Sequence, residues 1–136
     1  MTNILLLSYH NIGIGMLSAA QHVLGRKPDN IKVIEITDAL STEQIDSMIS
    51  GIVKTRNHDL VILADLFGST HANIARRYID PGHVELIGGY NLPMLIRAIN
   101  YQQLPVLELV SKLMVLAHEG IIHASHHGDI KQDARS

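Results

Sequence analysis

Two short runs constrain this chain most: Ile4-Leu5-Leu6-Leu7 and Leu60-Val61-Ile62-Leu63-Ala64. Neither alternates apolar with polar residues, so neither suits a strand with one wet face. Continuous apolar runs of this length belong to parallel strands covered on both faces. Segments of helical period separate such runs along the chain. Met16, Leu17, Ala20 and Leu24 follow the first run, and Ile45, Met48, Ile49, Ile52 and Val53 precede the second. Ile31–Ile36 and Val84–Ile87 read as two further strands. The order β-α-β-α-β-α-β-α-α-β predicts an α/β fold, a single doubly wound three-layer domain with a mainly parallel sheet, and the strand order 2-1-3-4 is expected for it. The domain spans residues 1–125, and residues 126–136 read as a polar C-terminal tail.

The punctuation agrees with this reading. Gly25 is a natural helix stop, and 26–30 a turn. Ser41 and Gln44 have the spacing of a capping box. The third helix is expected from Ala72 to about Ile79. Pro93 suits the first turn of the fourth, which runs to about Tyr101. Pro105 opens the last helix, with Leu107, Val110, Leu113, Met114 and Ala117 as its expected buried set, and Gly120 closes it. Ile121–Ala124 can add one short strand.

Composition narrows the function classes. The net charge is -2 with no basic run, which points away from nucleic acid and from direct membrane binding. There is no cysteine, so neither a disulfide framework nor a thiolate metal site is available, and a reducing compartment fits. The first strand begins at about residue 3, and no apolar stretch approaches the roughly 20 residues of a membrane span. A cytoplasmic domain is expected. Nine histidines are the one unusual count.

Three predicted strands end in polar or glycine-rich turns: at His10, at Asp65 and at Gly88-Gly89-Tyr90-Asn91. In a parallel sheet these ends share one edge, and ligands bind there, at the point where strand order reverses. A histidine at that point either acts as a nucleophile or titrates near neutral pH, unless it is a loop residue with no task. With the order 2-1-3-4, His10 and Asp65 face each other across the crevice. A carboxylate can fix the tautomer of an attacking imidazole; otherwise Asp65 is a turn residue or cap. Gly68-Ser69-Thr70 opens the third helix with hydroxyls and free N–H groups suited to a phosphoryl group, although Ser and Thr are also ordinary N-caps. The chain has no nucleotide-binding G-x-x-x-x-G-K-[ST] loop, no dinucleotide G-x-G-x-x-G and no G-x-S-x-G elbow, so ATP and NAD are poor candidates. Gly89 and Asn91 shape the site rather than react.

These residues together resemble the IIA domain of the mannose family of the bacterial phosphoenolpyruvate:sugar phosphotransferase system (PTS). The resemblance lies in the strand ending Ser8-Tyr9-His10, in the segment Asp65 to Asn73 and in Gly89-Tyr90-Asn91-Leu92-Pro93-Met94-Leu95, over residues 1 to 125. It implies a phosphohistidine carrier that accepts a phosphoryl group from HPr on His10 and passes it to a IIB partner or acts in regulation. Asp65 would orient His10, and Thr70 would contact the phosphate. No cofactor or metal is implied, and the membrane enters only through a permease complex. A homodimer is also implied, in which an antiparallel edge strand, matched here by Ile121–Ser125, crosses to the other subunit. His71 departs from the family, which has proline there, and brings a second imidazole near the site. Gly13 and Phe67 complete the expected surroundings. With Asp65 assigned to His10, substitution of His71 is expected to leave acceptance intact.

Two other readings remain. The related phosphotransfer subunit that serves dihydroxyacetone kinase has the same first domain and a different partner. A histidine-rich metal-binding protein would use His118, His123, His126 and His127, since neighbouring imidazoles bind zinc.

Overall fold

The computed structural model describes residues 1–125 and 130–132. Its elements are β1 (Thr2–Tyr9), α1 (Ile12–Leu24), β2 (Ile31–Ile36), α2 (Thr42–Thr55), β3 (Asp59–Ala64), α3 (Thr70–Arg76), β4 (Val84–Gly88), α4 (Leu92–Asn100), α5 (Val106–Glu119), β5 (Ile122–Ala124) and β6 (Ile130–Gln132). The first four strands form a parallel sheet in the order β2-β1-β3-β4, as the sequence predicts. The two apolar runs are its central strands. Successive side chains of a strand point to opposite faces. Ile4, Leu6, Val61 and Leu63 therefore pack against α1, α4 and α5, while Leu5, Leu7, Leu60 and Ile62 pack against α2 and α3. All eight are essentially inaccessible to solvent. The register Leu5↔Ile62 and Leu7↔Ala64 brings the carboxyl ends of β1 and β3 side by side.

Local signals act as expected at most helix ends. The Ser41 hydroxyl accepts from the Gln44 N–H at 3.1 Å, and the Gln44 side chain accepts from the Ser41 N–H at 2.8 Å. Gly25 closes α1 in the left-handed region, at φ 68°. Helix α3 stops at Arg76, short of Ile79. The Arg77 and Tyr78 N–H groups bond three residues back, to Ile74 and Ala75, and this tightened turn ends the helix.

One expectation is corrected, the buried face of α5. Helix α5 buries Val106, Leu109, Leu113 and Ala117, whereas Leu107 is 57% exposed and Met114 is also exposed. Apolar residues crowd this helix, so its pattern admits more than one face, and packing on β3 and β4 selects the 106-109-113-117 stripe. The last short strand does not extend the main sheet. Strand β5 pairs antiparallel with β6 in a separate two-stranded sheet, with His123 opposite Lys131. An isolated three-residue strand needs a partner for its backbone groups, and β6 supplies it. Residues 126–129 and 133–136 lie outside the described residues. Among those described, no helix is long and apolar enough to cross a membrane.

The facing of α5 is open to test by truncation. Leu109→Ala removes a fully buried side chain and should cost about 2–5 kcal/mol. Leu107→Ala should stay within about 0.5 kcal/mol of the parent. Denaturant unfolding of the two variants checks the difference, and equal losses would mean that the helix faces otherwise.

Candidate active site

The site begins where β1 runs out. Ser8 is buried, and Tyr9 and His10 are exposed. His10 lies in the left-handed region, at φ 48°. A non-glycine residue in such a conformation costs on the order of 1–3 kcal/mol, and such residues cluster at functional sites. The His10 N–H donates to the Ile36 carbonyl at 2.8 Å, which ties this turn to the end of β2. The imidazole is thus presented to solvent from a backbone held on its strand neighbour.

Asp65 follows β3 and holds the other side. Its N–H donates to the Leu7 carbonyl at 3.3 Å, continuing the β1–β3 pairing. Its Oδ2 accepts the Tyr9 N–H at 2.7 Å, and its Oδ1 lies 2.7 Å from His71 Nε2. The carboxylate therefore bonds the peptide group just ahead of His10. No hydrogen bond joins it to the His10 ring among the described residues, and its imidazole partner is His71. That changes the standing of His71, whose substitution was expected to be mild because the carboxylate was assigned to His10. His71 is 1% exposed, its Nδ1 is buried without a partner, and the Tyr9 ring meets it edge-on at 4.6 Å. Tyr9 is a site residue that sequence reasoning missed; its part is played by its backbone N–H and by a partly exposed ring set edge-on to His71, and neither leaves a motif.

The start of α3 divides its hydroxyls by role. Ser69 is the N-cap: its Oγ accepts from the Ala72 N–H at 3.2 Å and donates to the Leu66 carbonyl at 2.8 Å. The Thr70 side chain is exposed and takes part in no hydrogen bond among the described residues, so it remains available to a ligand. Gly68 provides the left-handed turn just ahead of them, at φ 86°.

The end of β4 folds back onto β3. The Gly89 and Tyr90 N–H groups both donate to the Ala64 carbonyl, at 2.8 and 3.3 Å, and Asn91 caps α4 by accepting from the Met94 N–H at 2.9 Å. Gly89 needs its φ of 80°. Gly88 is required for a different reason: a Cβ there would lie 2.6 Å from Phe67 Cβ. Phe67 thus rests directly on the β4 backbone, with the Arg76 guanidinium 5.7 Å from its ring centroid. Tyr90, part of the expected turn, makes a bond the sequence reading did not foresee: its hydroxyl meets Ser8 Oγ at 2.8 Å in the interior, and burial raises its pKa. A lone serine in an apolar strand was the available signal, since a buried hydroxyl requires a partner. Gly13 sits away from this chemistry; it admits α1 close to Val33 and Ser8.

Around His10, the β1 and β3 loops expose Tyr9, Ile12, Ile14, Leu66 and Phe67, the last at 63%. Contiguous exposed apolar surface of this kind is a feature of interaction sites. Among the described residues no group of three or more potential ligands could hold a metal ion. His118 and His123 are exposed, while His126 and His127 lie outside the described residues.

Comparison with known proteins places this geometry in context. The family model for the PTS system fructose IIA component matches residues 3–114. The structure of a phosphotransferase system component EIIA from Streptococcus agalactiae superposes with a TM-score of 0.82 at 23% identity, covering 90% of this chain and 97% of the other. The mannose/sorbose specific IIA subunit from Enterococcus faecalis gives 0.82 at 21% identity, covering 91% and 95%. A PTS IIA protein associated with a fucose utilization operon in Streptococcus pneumoniae gives 0.71 at 21%, covering 84% and 89%. At such identities the structural likeness is one of fold. No curated protein matches the chain by sequence.

The Ser8–Tyr90 bond makes a measurable claim. Tyr90→Phe should destabilise the fold by about 1–3 kcal/mol, because it strands a buried hydroxyl. Ser8→Ala combined with Tyr90→Phe should cost less than the two single losses added. Strict additivity in thermal or denaturant melts would show that the two hydroxyls do not interact.

Proposed function

Because the chain belongs to the family of PTS fructose IIA components, we propose that it is a cytoplasmic phosphohistidine carrier with His10 as its acceptor. Membership makes it a component of the sugar phosphotransferase system. The observation that carries the finer reading is the setting of His10: an exposed imidazole on a strained turn, anchored to Ile36, one peptide away from the Asp65 carboxylate. In the forward step a lone pair of a His10 ring nitrogen attacks the phosphorus of phospho-HPr. The new P–N bond forms as the donor's P–N bond breaks, and the electron pair returns to the donor imidazole. Transfer to a IIB component repeats the exchange in the other direction.

Asp65 supports this chemistry in two ways. It holds the Tyr9 N–H and so fixes the turn. Its oxygens keep unused lone pairs, so the carboxylate can still accept an N–H from the exposed His10 ring and stabilise the cation formed on phosphorylation. The free Thr70 hydroxyl and the Gly68 turn supply donors for the phosphoryl oxygens. The apolar rim of Ile12, Ile14, Leu66 and Phe67 suits a protein donor better than a small molecule.

Incubation with phosphoenolpyruvate, enzyme I and HPr should add the mass of one phosphoryl group, labile in acid and stable in alkali. His10→Ala should abolish the gain. Asp65→Ala should stay folded and transfer roughly 10²-fold more slowly or worse, and Thr70→Ala should be impaired less. Labelling that persists on the His10→Ala protein overturns the assignment.

The reading extends to the assembly. Met114, Val115, Ile121 and Ile122 are exposed on and just beyond α5, and we assign them to contact with a second copy. Removal of everything after Gly120 should weaken or abolish a homodimer in sedimentation, and a truncated protein that stays dimeric and equally stable counts against it.

A further inference from the structure

Building on the phosphocarrier reading, we propose that His71 is the positioning residue of this site: its ring, as the Nε2–H tautomer, clamps Asp65 and thereby sets the turn that presents His10. The tautomer follows from the partners. Asp65 Oδ1, at 2.7 Å from Nε2, is a carboxylate oxygen and only accepts, so Nε2 carries the hydrogen. Nδ1 is buried with no partner, and a bare lone pair there is less costly than an orphaned N–H or a charged ring. The imidazole, 1% exposed and edge-on to Tyr9, has no access to a phosphoryl donor and is not itself an acceptor.

The clamp has a direct mechanical consequence. Asp65 is 12% exposed and carries two oxygens. With Oδ1 held by His71, the carboxylate plane is fixed and Oδ2 falls on the Tyr9 N–H at 2.7 Å. The next residue is His10, already in a conformation that non-glycine residues avoid. Without the clamp the carboxylate can rotate, the Tyr9 N–H loses its acceptor, and the His10 turn has only its bond to Ile36. His71 acts through Asp65 and touches neither the donor nor the phosphoryl group.

Four measurements test this. In long-range 1H–15N spectra at neutral pH, the wild-type His71 ring should show a protonated Nε2 and an unprotonated Nδ1; the reverse overturns the proposal. Hydrogen exchange at the Tyr9 amide reads the clamp with no phosphoryl donor present. Protection should fall in His71→Leu, which keeps the volume but not the N–H, and return in His71→Gln, whose amide can reach Asp65. Single-turnover transfer from phospho-HPr should slow about 10–100-fold in His71→Leu, the range seen when metal-ligating residues lose the groups that orient them. It should recover to within a few-fold in His71→Gln, with the donor concentration for half-saturation unchanged. In an Asp65→Ala background the His71→Leu change should have no further effect; slowing by the same factor there means His71 does not act through Asp65. Unchanged Tyr9 protection in His71→Leu overturns the clamp, as does a His71→Gln protein as slow as His71→Leu. The carrier reading fails separately, by absence of labelling on wild-type protein, and the spectra and amide exchange still decide the clamp.

Discussion

The site depends on one carboxylate. Asp65 stands at the junction of the two central strands, with one oxygen on the Tyr9 N–H and the other on His71 Nε2. Hydrogen bonds to an ionised acceptor are roughly twice as strong as neutral ones. The first lies where the β1–β3 ladder ends and gives the Tyr9 N–H its acceptor. The bond that satisfies the backbone of β1 therefore also fixes the orientation of the turn carrying His10.

The sheet beneath gives that carboxylate a fixed base. Leu5, Leu6 and Leu7 are covered on both faces, and close-packed interiors resist small shifts. Ser8 extends the anchorage past the neighbouring strand, through its hydroxyl to Tyr90 in the loop after β4. That loop in turn hangs from the Ala64 carbonyl, one residue before Asp65. Three strand ends are thus bound into one unit, from which the side chains of His10 and Thr70 are exposed. Phe67, seated on Gly88, carries this rigidity out to the apolar rim where a partner protein would dock.

Much of this was legible in the sequence, for identifiable reasons. Continuous apolar runs specify buried parallel strands, and alternation with amphipathic helices specifies how they connect, so a parallel sheet with His10, Asp65 and Gly89 on one edge could be read from pattern, while the order 2-1-3-4 was an added expectation that the sheet bears out. The capping box of α2 and the glycine stop of α1 could be read because their mechanism is local. The face of α5 could not, since nearly every position around Leu107 and Met114 is apolar and only packing on the sheet decides between stripes. Nor could the pairing of β5 with β6 or the partner of Asp65. A hydrogen bond between two side chains depends on rotamers, and Asp65 had two imidazoles within reach by sequence. His71 took the carboxylate because it begins the buried face of α3, whereas His10 turns outward at positive φ.

Phosphorus–nitrogen coupling in the phosphorylated protein tests the central claim most directly. Protein labelled with 15N at histidine and charged by phospho-HPr should give a phosphorus signal coupled to a ring nitrogen of His10, while the His71 ring signals stay uncoupled. Coupling to any other histidine, or a phosphorus signal with no nitrogen partner, would contradict the account.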